Sequence, residues 1–219
     1  MILSKGTRHK NASRTVFRSI TVIALLLLLN ACIGVESTIT IRENGSGTAA
    51  LSYRISHKVA HLGRLDENDL FVPLPVNEND LERTVANTDG INLLSSEQNE
   101  DETNVYINAD FRFDSAEALS GLFSTAEEEE AFTVEQDGNE TVFRYRLFSG
   151  LEQPVDPETM TMINTYFTDY SLDFTVNTPA PITDSNIGTV SDNGRSISFS
   201  TSIPELFENN SEVVWEVRW

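Results

Sequence analysis

The sequence predicts an α+β fold: antiparallel sheet built from hairpins, with three to four helices packed on one face. Three observations point there. Most of the chain after Ser37 consists of short runs in which apolar and polar residues alternate, the period of a half-buried strand. Gly, Asn, Asp and Pro clusters punctuate those runs at hairpin distances. A few stretches instead repeat their apolar residues at spacings of three and four, which suits helices lying over a sheet.

Taken in order, Thr38-Ile39-Thr40-Ile41 alternates, Glu43-Asn44-Gly45-Ser46-Gly47 turns, and Ala49 to Ile55 resumes extended character, a first hairpin. His57 to Leu65 and Asp80 to Ala86 have helical spacing. Phe71-Val72-Pro73-Leu74-Pro75 between them cannot continue a helix, because proline lacks the donor and clashes with the preceding turn. Asp66-Glu67-Asn68-Asp69-Leu70 is echoed by Asn77-Glu78-Asn79-Asp80-Leu81, a single echo that helix-capping composition explains. Ile91 to Ser95 and Asn104 to Phe113 form the next strand pair, the second with Val105, Ile107, Ala109, Phe111 and Phe113 on one face.

Ser115 caps a helix carrying Ala116, Leu119, Leu122 and Phe123 on one side, and Glu127 to Glu130 follows as a solvated acidic run. Phe132 and Val134 lead through Asp137-Gly138 to Phe143, Tyr145 and Leu147, a second hairpin. Asp156-Pro157-Glu158 opens a helix with Met160, Ile163 and Phe167 on its apolar side. Leu172, Phe174 and Val176 read as a strand ended by Pro179 and Pro181. Asp192-Asn193-Gly194 turns the chain into Ile197 and Phe199, and Val213, Trp215, Val217 and Trp219 alternate to the last residue. About nine strands result. Residues 37–219 are expected as one acidic domain, since the forty residues after Pro181 are too few for a core of their own.

Residues 1–31 stand apart. Lys5, Arg8, Lys10, Arg14 and Arg18 precede any acidic residue and lead into the apolar run Ile20 to Leu29, which ends in five leucines. This is the pattern of a secretory signal peptide. The run is about half the length that a helix needs to cross a ~30 Å hydrocarbon core. At its end, Leu29-Asn30-Ala31-Cys32 resembles the lipobox of bacterial lipoproteins. That resemblance implies cleavage between Ala31 and Cys32, a diacylglycerol thioether on Cys32, and residues 32–36 as a short tether. The redox argument agrees: Cys32 is the only cysteine, and in an exported chain it would otherwise be a thiol open to oxidation. Two or three acyl chains hold a protein stably on a bilayer where one alone does not. Ile33 is not the aspartate that retains many lipoproteins in the inner membrane of some bacteria, which favours the outer membrane.

Charge sharpens the picture. The 219 residues carry 34 acidic and 15 basic side chains. Loss of the first 31 removes five basic residues and no acidic one, leaving 10 against 34, or −24. Such a chain has no means of neutralising a phosphate backbone, so nucleic acid is excluded as a partner. Anionic headgroups repel it as well, so the lipid and not the folded surface is expected to hold it at the membrane.

The layout resembles the LppM-like lipoprotein domain. The resemblance rests on the lipobox, the Ile39-Thr40-Ile41-Arg42-Glu43-Asn44-Gly45-Ser46-Gly47-Thr48 strand-turn-strand, Pro179-Ala180-Pro181-Ile182, Ser185-Asn186, Gly194-Arg195 and the Trp-rich final strand. It implies an envelope lipoprotein with no assured enzyme activity, and no functional residue transfers. Members of that family commonly carry a C-terminal membrane helix that has no counterpart before Trp219, so attachment is expected to rest on Cys32 alone.

Motifs of other chemistry are incomplete. His57 and His61, four apart, share a helical face as zinc ligands do, but Lys58 occupies the place of the glutamate of a metalloprotease motif. No metal and no cofactor are expected. The acidic loops at Asp66 to Phe71 and Asp184 to Gly188 lack the pattern of a calcium-binding EF-hand. Gly-x-Ser-x-Gly and a phosphate-binding loop are both missing, and 34 carboxylates make any pairing along the chain uninformative. No enzyme activity is expected. Two functions fit these features: a non-catalytic interaction module that binds another envelope protein, and a carrier for a lipid or small apolar ligand. In the second, Phe71, Phe123, Phe143, Tyr166, Phe167, Trp215 and Trp219 would supply the lining. An enzyme with an unrecognised carboxylate site is the third.

Overall fold

The computed structural model describes residues 34–57, 75, 77–123, 131–151, 153–167 and 170–219. Eleven strands and four helices are formed among them. The strands are β1 (Gly34–Ile41), β2 (Gly47–Ser56), β3 (Ile91–Glu100), β4 (Asn104–Phe113), β5 (Phe132–Asp137), β6 (Glu140–Phe148), β7 (Ser171–Asn177), β8 (Asp184–Ser185), β9 (Thr189–Val190), β10 (Ser196–Ser202) and β11 (Val213–Arg218). The helices are α1 (Glu78–Ala86), α2 (Ala116–Phe123), α3 (Pro157–Phe167) and α4 (Ile203–Asn209). A seven-stranded sheet runs β3-β4-β2-β1-β7-β10-β9, and a four-stranded sheet runs β5-β6-β11-β8. The class is α+β with mostly antiparallel hairpin sheets, as the alternation predicts.

Alternation sets which face is buried. Ile39, Ile41, Ala49, Leu51, Ile55, Val105, Ile107, Phe111, Phe113, Val176 and Ile197 all point to one side of the large sheet and are buried there. Leu81 and Val85 of α1 and Leu119 of α2 join the same core, together with Phe132, Phe143, Trp215 and Val217 of the small sheet. The inner face is thus shared between helices and a second sheet. Tyr145 meets Phe174 edge-on at 5.4 Å, and Phe199 lies 6.1 Å from Trp215, two contacts that join the sheets. Helices α3 and α4 pack on each other through Ile163, Phe167, Ile203 and Phe207.

Gly47 is fixed by a close approach. A Cβ there would lie 2.1 Å from the Thr40 carbonyl and 2.4 Å from the Phe113 ring, so only glycine lets the first hairpin close over that aromatic side chain.

Several elements differ from expectation. β1 begins at Gly34 and not near Ser37, because Gly34, Val35 and Glu36 pair with Arg54, Tyr53 and Ser52. Three of the residues expected as tether therefore belong to the sheet. β3 continues past Ser95 to Glu100, where a polar run without alternation is tolerated on an edge strand paired only with β4. β1 and β7 pair in parallel, the one departure from antiparallel order among the described residues. After Pro181 the chain links the two sheets: the Ile182 amide donates to the Gly194 carbonyl and the Thr183 amide to the Arg218 carbonyl. Helix α4 was not anticipated. The Ser202 hydroxyl accepts from the Glu205 amide, and the Glu205 carboxylate accepts from the Ser202 amide, a reciprocal cap. Residues 58–65 of the expected helix from His57, the acidic loop at 66–71, and the run Glu127 to Glu130 lie outside the described residues.

Candidate functional site

Ala31, Cys32 and His61 lie outside the described residues. His57 is within them. Its Nε2 is 2.6 Å from the Asp101 carbonyl oxygen, which can only accept, so that nitrogen carries the proton and is committed to the loop between β3 and β4. Among the described residues no three His, Cys, Asp or Glu side chains gather as a metal-holding group. No helix among them is long and apolar enough to cross a membrane. Phe143 and Trp215 are core residues, Phe167 belongs to the α3–α4 cluster, and half-buried Trp219 packs against the main core. Their surfaces are used in packing. Phe71 and the side chains of Phe123 and Tyr166 lie outside what is described.

The loop that receives His57 is organised by Asp101. One carboxylate oxygen accepts from the Thr103 and Asn104 amides at 2.7 and 2.8 Å, and the other from the Tyr106 hydroxyl at 2.8 Å. These bonds, the Thr103 amide foremost, hold the carboxyl well below the usual carboxylate range. The folded pKa is depressed, so the stabilisation is fully present above the unfolded value and disappears as pH falls toward the folded one. Asp101→Ala is therefore expected to lower the melting temperature at pH 7 by clearly more than at pH 2. Paired thermal melts check this, and a difference that is unchanged between the two pH values would show that the loop does not depend on the ionised carboxylate.

The outer face of the large sheet carries open grooves. It turns the polar half of each strand away from the core, and three open grooves on it adjoin. The first, about 680 Å³, is lined by Glu36, Thr38, Ala50, Ser52, Ser95, Ser96, Glu97, Asn108 and Asp110, with Leu51 and Ala109 beneath. A smaller groove of about 240 Å³ shares Glu36 and Ser52 with the first, and includes Arg54, Tyr106 and Asp173. The third, about 670 Å³, shares Asp173 and extends over Thr175, Thr189, Ser198 and Ser200. Together they make one trough that crosses the strands.

Register explains its floor. Ser95, Asp110, Ala50, Thr38, Thr175, Ser198 and Thr189 are successive partners from β3 to β9. No side chain among them is longer than aspartate. The next row is Glu97, Asn108, Ser52, Glu36, Asp173 and Ser200. Ser95 donates to Asp110 at 2.7 Å, Ser52 to Asn108 at 2.7 Å, and Ser200 to Asp173 at 2.6 Å, so much of the surface is already cross-linked by hydroxyls.

Glu36 and Asp173 stand directly opposite each other on β1 and β7. Asp173 accepts from the Ser171 and Ser200 hydroxyls, while Glu36 makes no hydrogen bond or ion pair with the described residues. Like charges directly opposed on neighbouring strands are destabilising. Glu36 is exposed.

None of these trough residues was singled out from the sequence. Their signal is nonetheless there, as pairs of small or polar residues on the solvent side of each strand: Glu36 and Thr38, Ala50 and Ser52, Asn108 and Asp110, Asp173 and Thr175, Ser198 and Ser200. What joins them is the strand order, which no local pattern carries.

No protein-family model matches the sequence, and no curated protein matches it. Among solved structures, the folded domain of the LppM protein of Mycobacterium tuberculosis, determined by NMR, is similar over 86% of this chain and 90% of that one. The TM-score is 0.49 and the sequence identity 12%.

Proposed function

We propose that the chain is a bacterial envelope lipoprotein, anchored through a lipid on Cys32, whose acidic α+β domain is a non-catalytic module that binds another envelope protein. The observation that carries the reading is Leu29-Asn30-Ala31-Cys32 at the end of a basic-then-apolar leader, followed at once by the fold. Only Ile33 separates Cys32 from the first residue of β1, so at most ~7 Å of extended chain lies between the lipidated residue and the sheet. A domain held so near a bilayer, with −24 charge repelled by anionic headgroups, presents its surface to proteins beside the membrane. Ile33 after the cysteine supports the outer membrane as its site.

The test is photo-cross-linking in intact cells, from a probe carried on the anchored chain. A discrete adduct is expected, recovered with the membrane fraction and missing when the chain is released from the membrane. An inert monomer with no adduct above background would sink the interaction reading.

A further inference from the structure

We infer that the trough on the outer face of the seven-stranded sheet is a docking surface for an extended, cationic segment of a partner protein. The inference rests on the interaction-module reading and names its surface and the chemistry of its occupant.

The shape comes first. An ordinary solvated sheet face carries long charged side chains interspersed with polar ones. Here seven consecutive strands place only Ser, Asp, Ala and Thr on the floor row, which leaves room above the backbone for another chain. Six inter-strand steps at ~4.8 Å give a length of ~29 Å, enough for about eight residues of extended peptide at ~3.4 Å each.

Charge selects the occupant. The first groove is lined by Glu36, Glu97 and Asp110 and by no Lys or Arg. Beside it, Glu36 opposes Asp173, and neither forms an ion pair with a described residue. The single arginine of the adjoining groove, Arg54, stacks over the Tyr170 ring at 4.1 Å, toward the end of the sheet where Gly34 enters. The small sheet treats its acids differently. On its exposed face Arg144 bonds both Glu216 and Glu135, Arg218 bonds Asp137 and Glu216, and Arg146 bonds Glu212, at 2.7 to 2.9 Å. Among the described residues the chain thus pairs the acids of one sheet with arginines and forms no ion pair to Glu36, Glu97, Asp110 or Asp173 of the other, in a channel of peptide dimensions. Lys or Arg side chains alternating along a bound strand would reach the Glu36–Asp173 pair and relieve its repulsion.

The experiment uses the full chain in detergent micelles and a fluorescent octapeptide of alternating Lys and Thr, read by anisotropy at physiological salt. Saturable binding is expected, and E36Q/D173N should weaken it at least tenfold. E117Q/E158Q, the same change of charge placed on α2 and α3, should weaken it less than twofold. Thr38→Phe, which fills the floor without altering charge, should also weaken it at least tenfold while the circular dichroism spectrum stays that of the parent. Equal losses for the trough and helix variants would mean attraction to overall charge and would overturn the proposal. So would full binding by Thr38→Phe, or uptake of a neutral N-acetylglucosamine oligomer with none of the peptide. Cross-linking in cells separates this proposal from the reading beneath it. An adduct undiminished by E36Q/D173N overturns the trough alone, whereas no adduct from the parent chain overturns the interaction module.

Discussion

Trp215→Ala is expected to destabilise the fold by about 3–5 kcal/mol, the upper range for truncating a large aromatic in a packed core. For a chain of this size that corresponds to a fall in melting temperature of roughly 10–15 °C. Trp215 has no exposed surface and is the largest fully buried side chain among the described residues. Its ring lies where the two sheets meet, near Phe199 of β10, and its Nε1 donates to the Ile187 carbonyl at 3.0 Å. Ala would lose the apolar burial and leave a cavity between sheets that cannot collapse without moving a strand, while the Ile187 carbonyl would keep its bond from the Ser185 hydroxyl. Trp215→Phe keeps most of the volume and should cost less than half as much. Denaturant unfolding with matched slopes measures both. A loss below about 1 kcal/mol for Trp215→Ala would mean that the sheets do not depend on this contact.

The elements that could be read from the sequence are those whose evidence is local. Val105 to Phe113 alternates without interruption, and β4 lies buried on one face at the centre of three hairpin-built strands. Asp137-Gly138 closes β5 onto β6, with Gly138 at φ 65° as the turn requires. Asn77 caps α1 by accepting from the Asp80 amide at 3.0 Å, which accounts for the second copy of the acidic echo. Helix α4 also had a local signature, Ser202 followed three residues later by Glu205 with Pro204 between, but its seven residues show little apolar period.

Other features have no local signature. The parallel pairing of β1 with β7 joins residues some 135 positions apart, and nothing within either strand distinguishes a parallel from an antiparallel neighbour. Strands β8 and β9 have two residues each and are held by pairing with β11 and β10, not by their own composition. The trough is hidden for the same reason. Glu36 and Asp173 become neighbours only when β1 and β7 meet, so an acidic sequence reveals how many carboxylates there are but not which are left facing each other. Asp101 shows the converse, since its partners Thr103, Asn104 and Tyr106 are all within five residues and the turn is a local one.

Replacing Cys32 by Ser is expected to abolish attachment to the membrane outright. A hydroxyl cannot form the lipid thioether, so labelled palmitate should not be incorporated, and the cleavage that follows lipidation in this class of precursor should not occur. The fold gives this test a clean background. Among the described residues the first paired one is Gly34, opposite Arg54, two positions after Cys32. The exchange of one sulfur for oxygen is expected to leave the thermal melt of the folded part within about 1 °C of the parent. Loss of label with an unchanged melt assigns the effect to the anchor and not to misfolding. Two or more acyl chains bind essentially permanently while an unacylated chain with −24 charge is repelled by anionic lipid, so fractionation should move the protein from almost wholly membrane-bound to unbound wherever the leader is still removed. Where the uncleaved leader itself holds the variant in the membrane, gel mobility reports the 31 extra residues directly. Palmitate incorporation by Cys32→Ser, together with maturation to the parent mass, would refute the lipobox and return Ile20 to Leu29 to the role of an ordinary signal or an uncleaved anchor.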